Sequence, residues 1–168
     1  MAEKFKTLFF VKSSLISLYL ALTIPIPIIS SEKLKIFSII TFFFGLFLII
    51  NITNDYVKTC DKKISYNTSF ISRIFGKNNW EIFWTDIKLI KSFPTSQGSK
   101  VHYFISRKDE SFLVPQRVEN FEKLVLLIAN KTNLRVEDLS YISPLWTYRL
   151  LTYISILMIV GEIIAFSI

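Results

Sequence analysis

Cys60 and His102 are the single cysteine and the single histidine of this 168-residue chain, so any soft-ligand or thiol–imidazole chemistry would have to begin with them. A nucleophile needs a base within hydrogen-bond reach, and a structural zinc needs four ligands drawn mostly from Cys and His. One thiol and one imidazole meet neither requirement, and a lone thiol cannot close an internal disulfide. Serine and aspartate are common along the chain, but no nucleophile elbow and no zinc-type spacing surrounds them. The residues therefore predict a protein that is not an enzyme, with no catalytic residues, no metal and no cofactor. Cys60 is expected as a small buried residue in the first strand of a soluble module. His102 alternates with Val101 and Tyr103 and is expected on the opposite strand face, at the surface or partly covered.

The remaining chemistry-bearing groups are charges and aromatics. Lys58, Lys62, Lys63, Arg73 and Lys77 follow closely on an apolar segment and are candidate contacts for anionic lipid headgroups, at roughly 1 kcal/mol per basic residue near a membrane surface. The plainer alternative is a solvated basic flank. Trp80 and Trp84 lie two alternations apart and are expected to pack under a helix rather than to stack a ligand. Glu162 stands in an otherwise apolar segment, about 20 Å along a helix from Arg149. A carboxylate there is costly and often functional. It is a candidate intramembrane pair with Lys33 or Lys35, the alternative being that it reaches interfacial water. The net charge of +7 accompanies no basic–aromatic nucleic-acid motif, so no nucleic acid is expected as partner. Membrane lipids and another membrane protein are the expected partners, and no small-molecule substrate is evident.

Apolar segments dominate the elements that would carry these groups. Residues 13–31 and 36–54 contain no charge, and each run is about 28 Å long as a helix, close to the thickness of a bilayer core. Leu145 to Ile168 contains only Arg149 and Glu162 as charges. The organisation expected is a transmembrane hairpin over residues 1–54, a soluble module over 55–134, a polar connector over 135–144 and a third span over 145–168. The start resembles the n-region of a signal peptide, but no cleavage site follows before the second apolar run, which favours a hairpin. Pro25-Ile26-Pro27 should end or kink the first helix near Ile24, with an irregular continuation. Lys4, Lys6, Lys12, Lys58, Lys62, Lys63, Lys131, Arg135 and Arg149 outnumber Lys33 and Lys35 across the hairpin. By the positive-inside rule the N-terminus and module are cytoplasmic and the C-terminus lies opposite, in a plasma membrane or thylakoid.

Within the module, alternating runs predict strands near 56–60, 63–70, 79–84, 87–93, 100–107 and 110–114. Turns are expected at Asp61-Lys62, Ser96–Ser99 and Lys108-Asp109, with a polar loop from Arg73 to Asn79. Pro115 closes the last strand, and Val118, Phe121, Leu124, Val125 and Ile128 mark one face of a helix from about Arg117 to Thr132.

Trp80-Glu81-Ile82-Phe83-Trp84-Thr85-Asp86-Ile87, the hairpin across Gly98 and the run Phe112-Leu113-Val114-Pro115-Gln116-Arg117 resemble the membrane-anchored bacterial pleckstrin-homology-like (PH-like) proteins. The resemblance covers roughly residues 15–132. It implies an α+β membrane protein: a bent antiparallel sheet plugged by one C-terminal helix, anchored by transmembrane helices. Such domains are generally not enzymes, which suggests an adaptor or assembly factor for a membrane-protein partner, or alternatively a sensor of anionic lipid. The layout is also similar to a plastid-encoded photosystem I assembly family, which would make the partner a photosynthetic complex. The third span departs from both plans.

Overall fold

A computed structural model of the chain describes residues 2–96, 98–137 and 139–167. The chain is α+β, and it divides into two compact units. One contains the chain up to Leu8 together with Asn54–Pro144, and the other contains Phe9–Thr53 and the segment from Leu145 onward.

The first unit holds two antiparallel sheets. Strands β1 (Glu3–Lys6), β2 (Tyr56–Thr59), β3 (Lys63–Asn67) and β4 (Trp80–Phe83) form one sheet in sequence order. Strands β5 (Ile87–Pro94), β6 (Lys100–Ser106) and β7 (Ser111–Leu113) form the other. The predicted strands are all present, most of them one to three residues shorter than expected. Strand β1 was not expected. Its residues read as a charged flank, yet Phe5 alternates inward and is buried while Lys4 and Lys6 face out. Glu3 pairs with Thr59 and Lys6 with Tyr56 across the ladder, so the apolar hairpin is inserted between the first two strands of a sheet. The domain boundary expected at residue 54 is therefore only half the boundary.

The passage from one sheet to the other is made by a 3-10 turn at Trp84–Asp86. Trp84 donates its backbone N–H to Lys62 O (3.0 Å) and its indole Nε1 to Cys60 O (2.9 Å), closing the β2–β3 turn from inside. Cys60 lies just beyond β2 in that turn and is half-buried, not a buried strand residue. The core joins Phe5, Val57, Ile64, Ile82, Trp84, Phe104 and Val114 to Phe121, Leu124 and Ile128 of the closing helix. Trp80 packs beside this core against the rings of Tyr66, Phe104 and Phe112.

That helix, α5, spans Phe121–Thr132 and so begins four residues later than the Arg117 expected. The intervening residues extend the sheet: Leu8 N donates to Arg117 O (2.9 Å), and Glu119 N donates to Lys6 O (2.9 Å). The segment after α5 is not a free polar connector. Leu134, Val136, Leu139 and Tyr141 pack on the core, and the buried amide of Gln116 donates to Lys100 O and Ser140 O. The β5–β6 turn carries Gly98 at φ +77°, where a side chain would be strained. Gln97 of that expected turn lies outside the described residues, as does Ile168.

The second unit is helical: α1 (Phe9–Thr23), α2 (Pro25–Ile29), α3 (Glu32–Ile52) and α6 (Leu145–Ser167). Three stretches are long and apolar enough to cross a membrane: Phe9–Ile29, Glu32–Ile52 and Leu145–Ser167. The break falls at Ile24 as expected, but the chain beyond it resumes as helix, because Pro25 sits in the first turn, where its missing N–H costs nothing. Small buried residues line the packed faces, Ser14, Ser17 and Ala21 on α1 and Ser155 on α6. Each of these serines returns its hydroxyl to a carbonyl three or four residues back in its own helix, which lets backbones approach without an orphaned polar group. Tyr19 donates to Phe42 O (2.7 Å), and a methyl group at Gly45 would run into the Tyr19 hydroxyl.

Truncating Trp84 or Phe121 to alanine should cost about 3–5 kcal/mol. Limited proteolysis in mild detergent checks this: the variants should be cut within residues 54–144 while the apolar segments stay intact.

Candidate functional site

Two features of the first unit combine burial, charge and exposed apolar surface, and each is traceable to local sequence. The first is built around Asp55, which is only 4% exposed. Its backbone carbonyl accepts from Thr7 N (3.3 Å) and Thr7 Oγ1 (2.8 Å). Its carboxylate accepts from Ser69 N (3.0 Å) and Ser72 Oγ (2.8 Å) at Oδ1, and from Tyr66 OH (2.9 Å) and Lys77 Nζ (2.9 Å) at Oδ2. Burial by itself raises the Asp55 carboxyl, but the hydrogen bonds from Lys77, Ser69 and Ser72 and the Lys77 charge outweigh it and hold the group below its usual value. Burial, reinforced by the adjacent carboxylate, pushes the Tyr66 phenol well up. With its lone pairs engaged, Asp55 has no vacant site to take a proton from a substrate, so the arrangement is a clamp.

What the clamp holds is α4 (Phe70–Ile74), which runs from the last residue of the strand expected over 63–70 into the polar loop expected from Arg73. Ser69 caps the helix by accepting from Ser72 N (3.1 Å). At the other end Gly76 takes φ +82°, with Gly76 N donating to Arg73 O and Lys77 N to Ser72 O, the paired bonds of a Schellman stop. That turn reverses the chain and delivers Lys77 to Asp55. Asn79 Oδ1 accepts both Thr68 N and Thr68 Oγ1 at 2.7 Å and staples the two ends of the segment. Ser72 is fully buried under the helix, while Phe70 (68%), Ile74 (65%) and Phe75 (66%) stand exposed.

The second feature is the outer face of the β5–β7 sheet. His102, expected at the surface or partly covered, is fully buried, with Nδ1 2.8 Å from Ser92 Oγ. Phe104 and Ser106 point inward with it, so Val101, Tyr103 and Ile105 face out. The apolar set of β6 is Val101, Tyr103 and Ile105, and the buried set holds His102, Phe104 and Ser106, so the alternation in the sequence points to the face opposite the one the fold buries. The register places Leu89 opposite Ile105, Lys91 and Leu113 on either side of Tyr103, and Phe93 opposite Val101. An antiparallel sheet ordinarily turns a polar face outward, but this one turns a mostly apolar face with Lys91 within it.

The five basic residues singled out from the sequence fall on different elements of the first unit. Lys58 and Lys63 line an open concavity of about 490 Å³ on the first sheet, where Lys63 is paired with Glu81 at 2.7 Å. Lys62 is in the β2–β3 turn, while Arg73 and Lys77 belong to the α4 segment. Glu162 is not joined to Lys33 or Lys35 in the structure. Its Oε2 is buried without a hydrogen-bond partner, and both lysines are exposed at the start of α3. The reason is packing: α6 lies chiefly against α1, not α3.

The chain is similar to an uncharacterised protein of Synechocystis sp., slr0269, with 29% identity over 154 residues covering 88% of this chain and 77% of that one. No family model matches the chain. No solved structure matches it.

Replacing Asp55 by alanine leaves buried donors of Ser69 and Ser72 without acceptors and should cost about 2–4 kcal/mol. The clamp also has an acid limb. Because the folded carboxyl titrates below the unfolded value of about 3.9, its contribution is complete above that pH and fades as pH falls through the lower folded value. Thermal melts across this range should show Asp55→Asn losing stability less steeply than wild type. Glu162→Gln should change stability in detergent by no more than about 0.5 kcal/mol. Recovery of a larger loss by a charge swap with Lys33 or Lys35 would show that the pair forms.

Proposed function

We propose that this chain is a non-enzymatic, multi-pass membrane protein whose PH-like module binds another membrane protein as an adaptor or assembly factor. Support for the PH-like reading comes from the strand order: four meander strands, three more across a sharp corner, and one amphipathic helix closing the core. The positive-inside bias supports a cytoplasmic module. The observation that carries the binding function is the apolar outer face of the β5–β7 sheet. Leu89, Phe93 and Leu113 are 39%, 41% and 48% exposed, and Val101, Tyr103 and Ile105 lie half-buried between them. Contiguous exposed apolar surface in a folded unit marks an interaction site. Lys91 lies on the same face between Leu89 and Phe93, opposite Tyr103, and puts one positive charge among the apolar side chains at the β5 edge. Strand β5 is also the sheet's edge, pairing with β6 alone among the described residues, so an extended segment of a partner has a free ladder to join.

The test is a mild-detergent pull-down of the full chain, with co-purifying proteins and lipids identified. A stoichiometric membrane-protein partner should accompany the wild type. A Leu89→Asp/Leu113→Asp variant should retain its melting temperature and lose the partner by about tenfold or more, as expected for contacts worth upwards of ~1.4 kcal/mol. Recovery of anionic lipid alone, unchanged in the variant, would overturn the adaptor reading.

A further inference from the structure

We infer that the α4 segment is a bilayer-contacting knuckle: Phe70, Ile74 and Phe75 enter the boundary between headgroups and acyl chains, and Arg73 meets anionic headgroups beside them. The inference rests on α1–α3 crossing a membrane and is independent of the adaptor reading.

Three large apolar side chains, each about two-thirds exposed, crowd one short segment while its two serines are turned inward. Ser69 and Ser72 are spent on the cap and on Asp55, the reverse of what a water-facing loop would do. The segment is also held rigid, by the Schellman stop at Gly76, the Asn79 staple and the Lys77–Asp55 pair. Rigid presentation of phenylalanine and isoleucine flanked by a basic side chain is the composition of an interfacial contact.

Chain connectivity says which surface these residues meet. Asp55, which bonds Ser69 and Ser72 directly, is three residues beyond Ile52, the last residue of α3, and so lies within about 11 Å of that span's end along any path. The same Asp55 accepts two bonds from Thr7, two residues before α1 begins at Phe9. Both chain segments that enter the hairpin thus leave from the residue that anchors α4. Arg73 is exposed, lies three residues from Phe70, and carries the charge that anionic headgroups attract.

The test uses the full chain in a Cys60→Ser background with a single cysteine placed by Phe75→Cys or, as a reference in the β6–β7 turn, Lys108→Cys. Each is labelled with an environment-sensitive nitrobenzoxadiazole dye. The purified protein is reconstituted into phosphatidylcholine vesicles with or without phosphatidylglycerol, in the presence of shallow doxyl-lipid quencher. The dye at position 75 should emit to the blue of the dye at position 108 and be quenched severalfold more. Quenching should increase with phosphatidylglycerol, and Arg73→Glu should abolish that increase. Emission and quenching at 75 equal to those at 108 would overturn the inference. So would a blue shift without lipid quenching, which would mean that a second copy covers the segment. An Arg73→Glu chain that keeps its full phosphatidylglycerol response would overturn the headgroup contact.

Discussion

A buried carboxylate has to be surrounded by donors or it will not stay ionised, and the first unit is arranged around meeting that demand at Asp55. The carboxylate's donors come from Tyr66 on β3, Ser69 and Ser72 at the short helix and Lys77 beyond its glycine stop, while the main-chain carbonyl accepts from Thr7 before the hairpin. Main chain and side chain of one residue thereby join the N-terminal strand, the exit from the second span and the α4 segment. Removing the carboxylate would leave the main-chain link to Thr7 and release the rest. The local pieces, a serine cap and a left-handed glycine, set the shape of α4, and Asp55 fixes where that shape sits on the sheet.

Each unit solves the problem of polar groups in its own way. In the sheets, the exposed Ser92 meets the Nδ1 of buried His102 across the β5–β6 ladder, and Ser106 spends its hydroxyl on the amides of the β6–β7 turn. In the helices, serine and threonine hydroxyls fold back on carbonyls of their own helix, so small side chains can sit at packed faces with no demand on a neighbour. Glu162 departs from that pattern, since one of its oxygens is buried and unanswered.

Much of this was legible in the sequence, for identifiable reasons. Long charge-free runs have few alternatives to being apolar helices, and the 3.6-residue spacing of Phe121, Leu124 and Ile128 points one face of α5 at the core. The strands also announced themselves by alternation, except where the pattern was overruled or masked. Strand β6 carries its apolar set, Val101, Tyr103 and Ile105, outward, so tertiary context chose the buried set against the pattern: Phe104 meets Trp80, and His102 meets Ser92. Strand β1 was hidden because lysines before an apolar run look like a membrane flank, and its partner lies beyond the whole hairpin. Helix α4 did carry signals, Ser69 as a cap and Gly76 as a stop, but it is only five residues long and continues a strand pattern. The Asp55 clamp left no local trace, since its donors share no motif and meet only in the fold.

The insertion of the hairpin between β1 and β2 has a consequence for how the chain is made. Strand β1 leaves the ribosome first, but its partner follows only after two apolar helices have been synthesised. The nascent strand must wait unpaired, and the ladder can close only if both ends of the hairpin come to rest in the same aqueous compartment. With one end of the hairpin held away from the other, Phe5 and Val57 would be left without each other. Closure of the sheet therefore couples the folding of the first unit to the placement of both ends of the apolar hairpin.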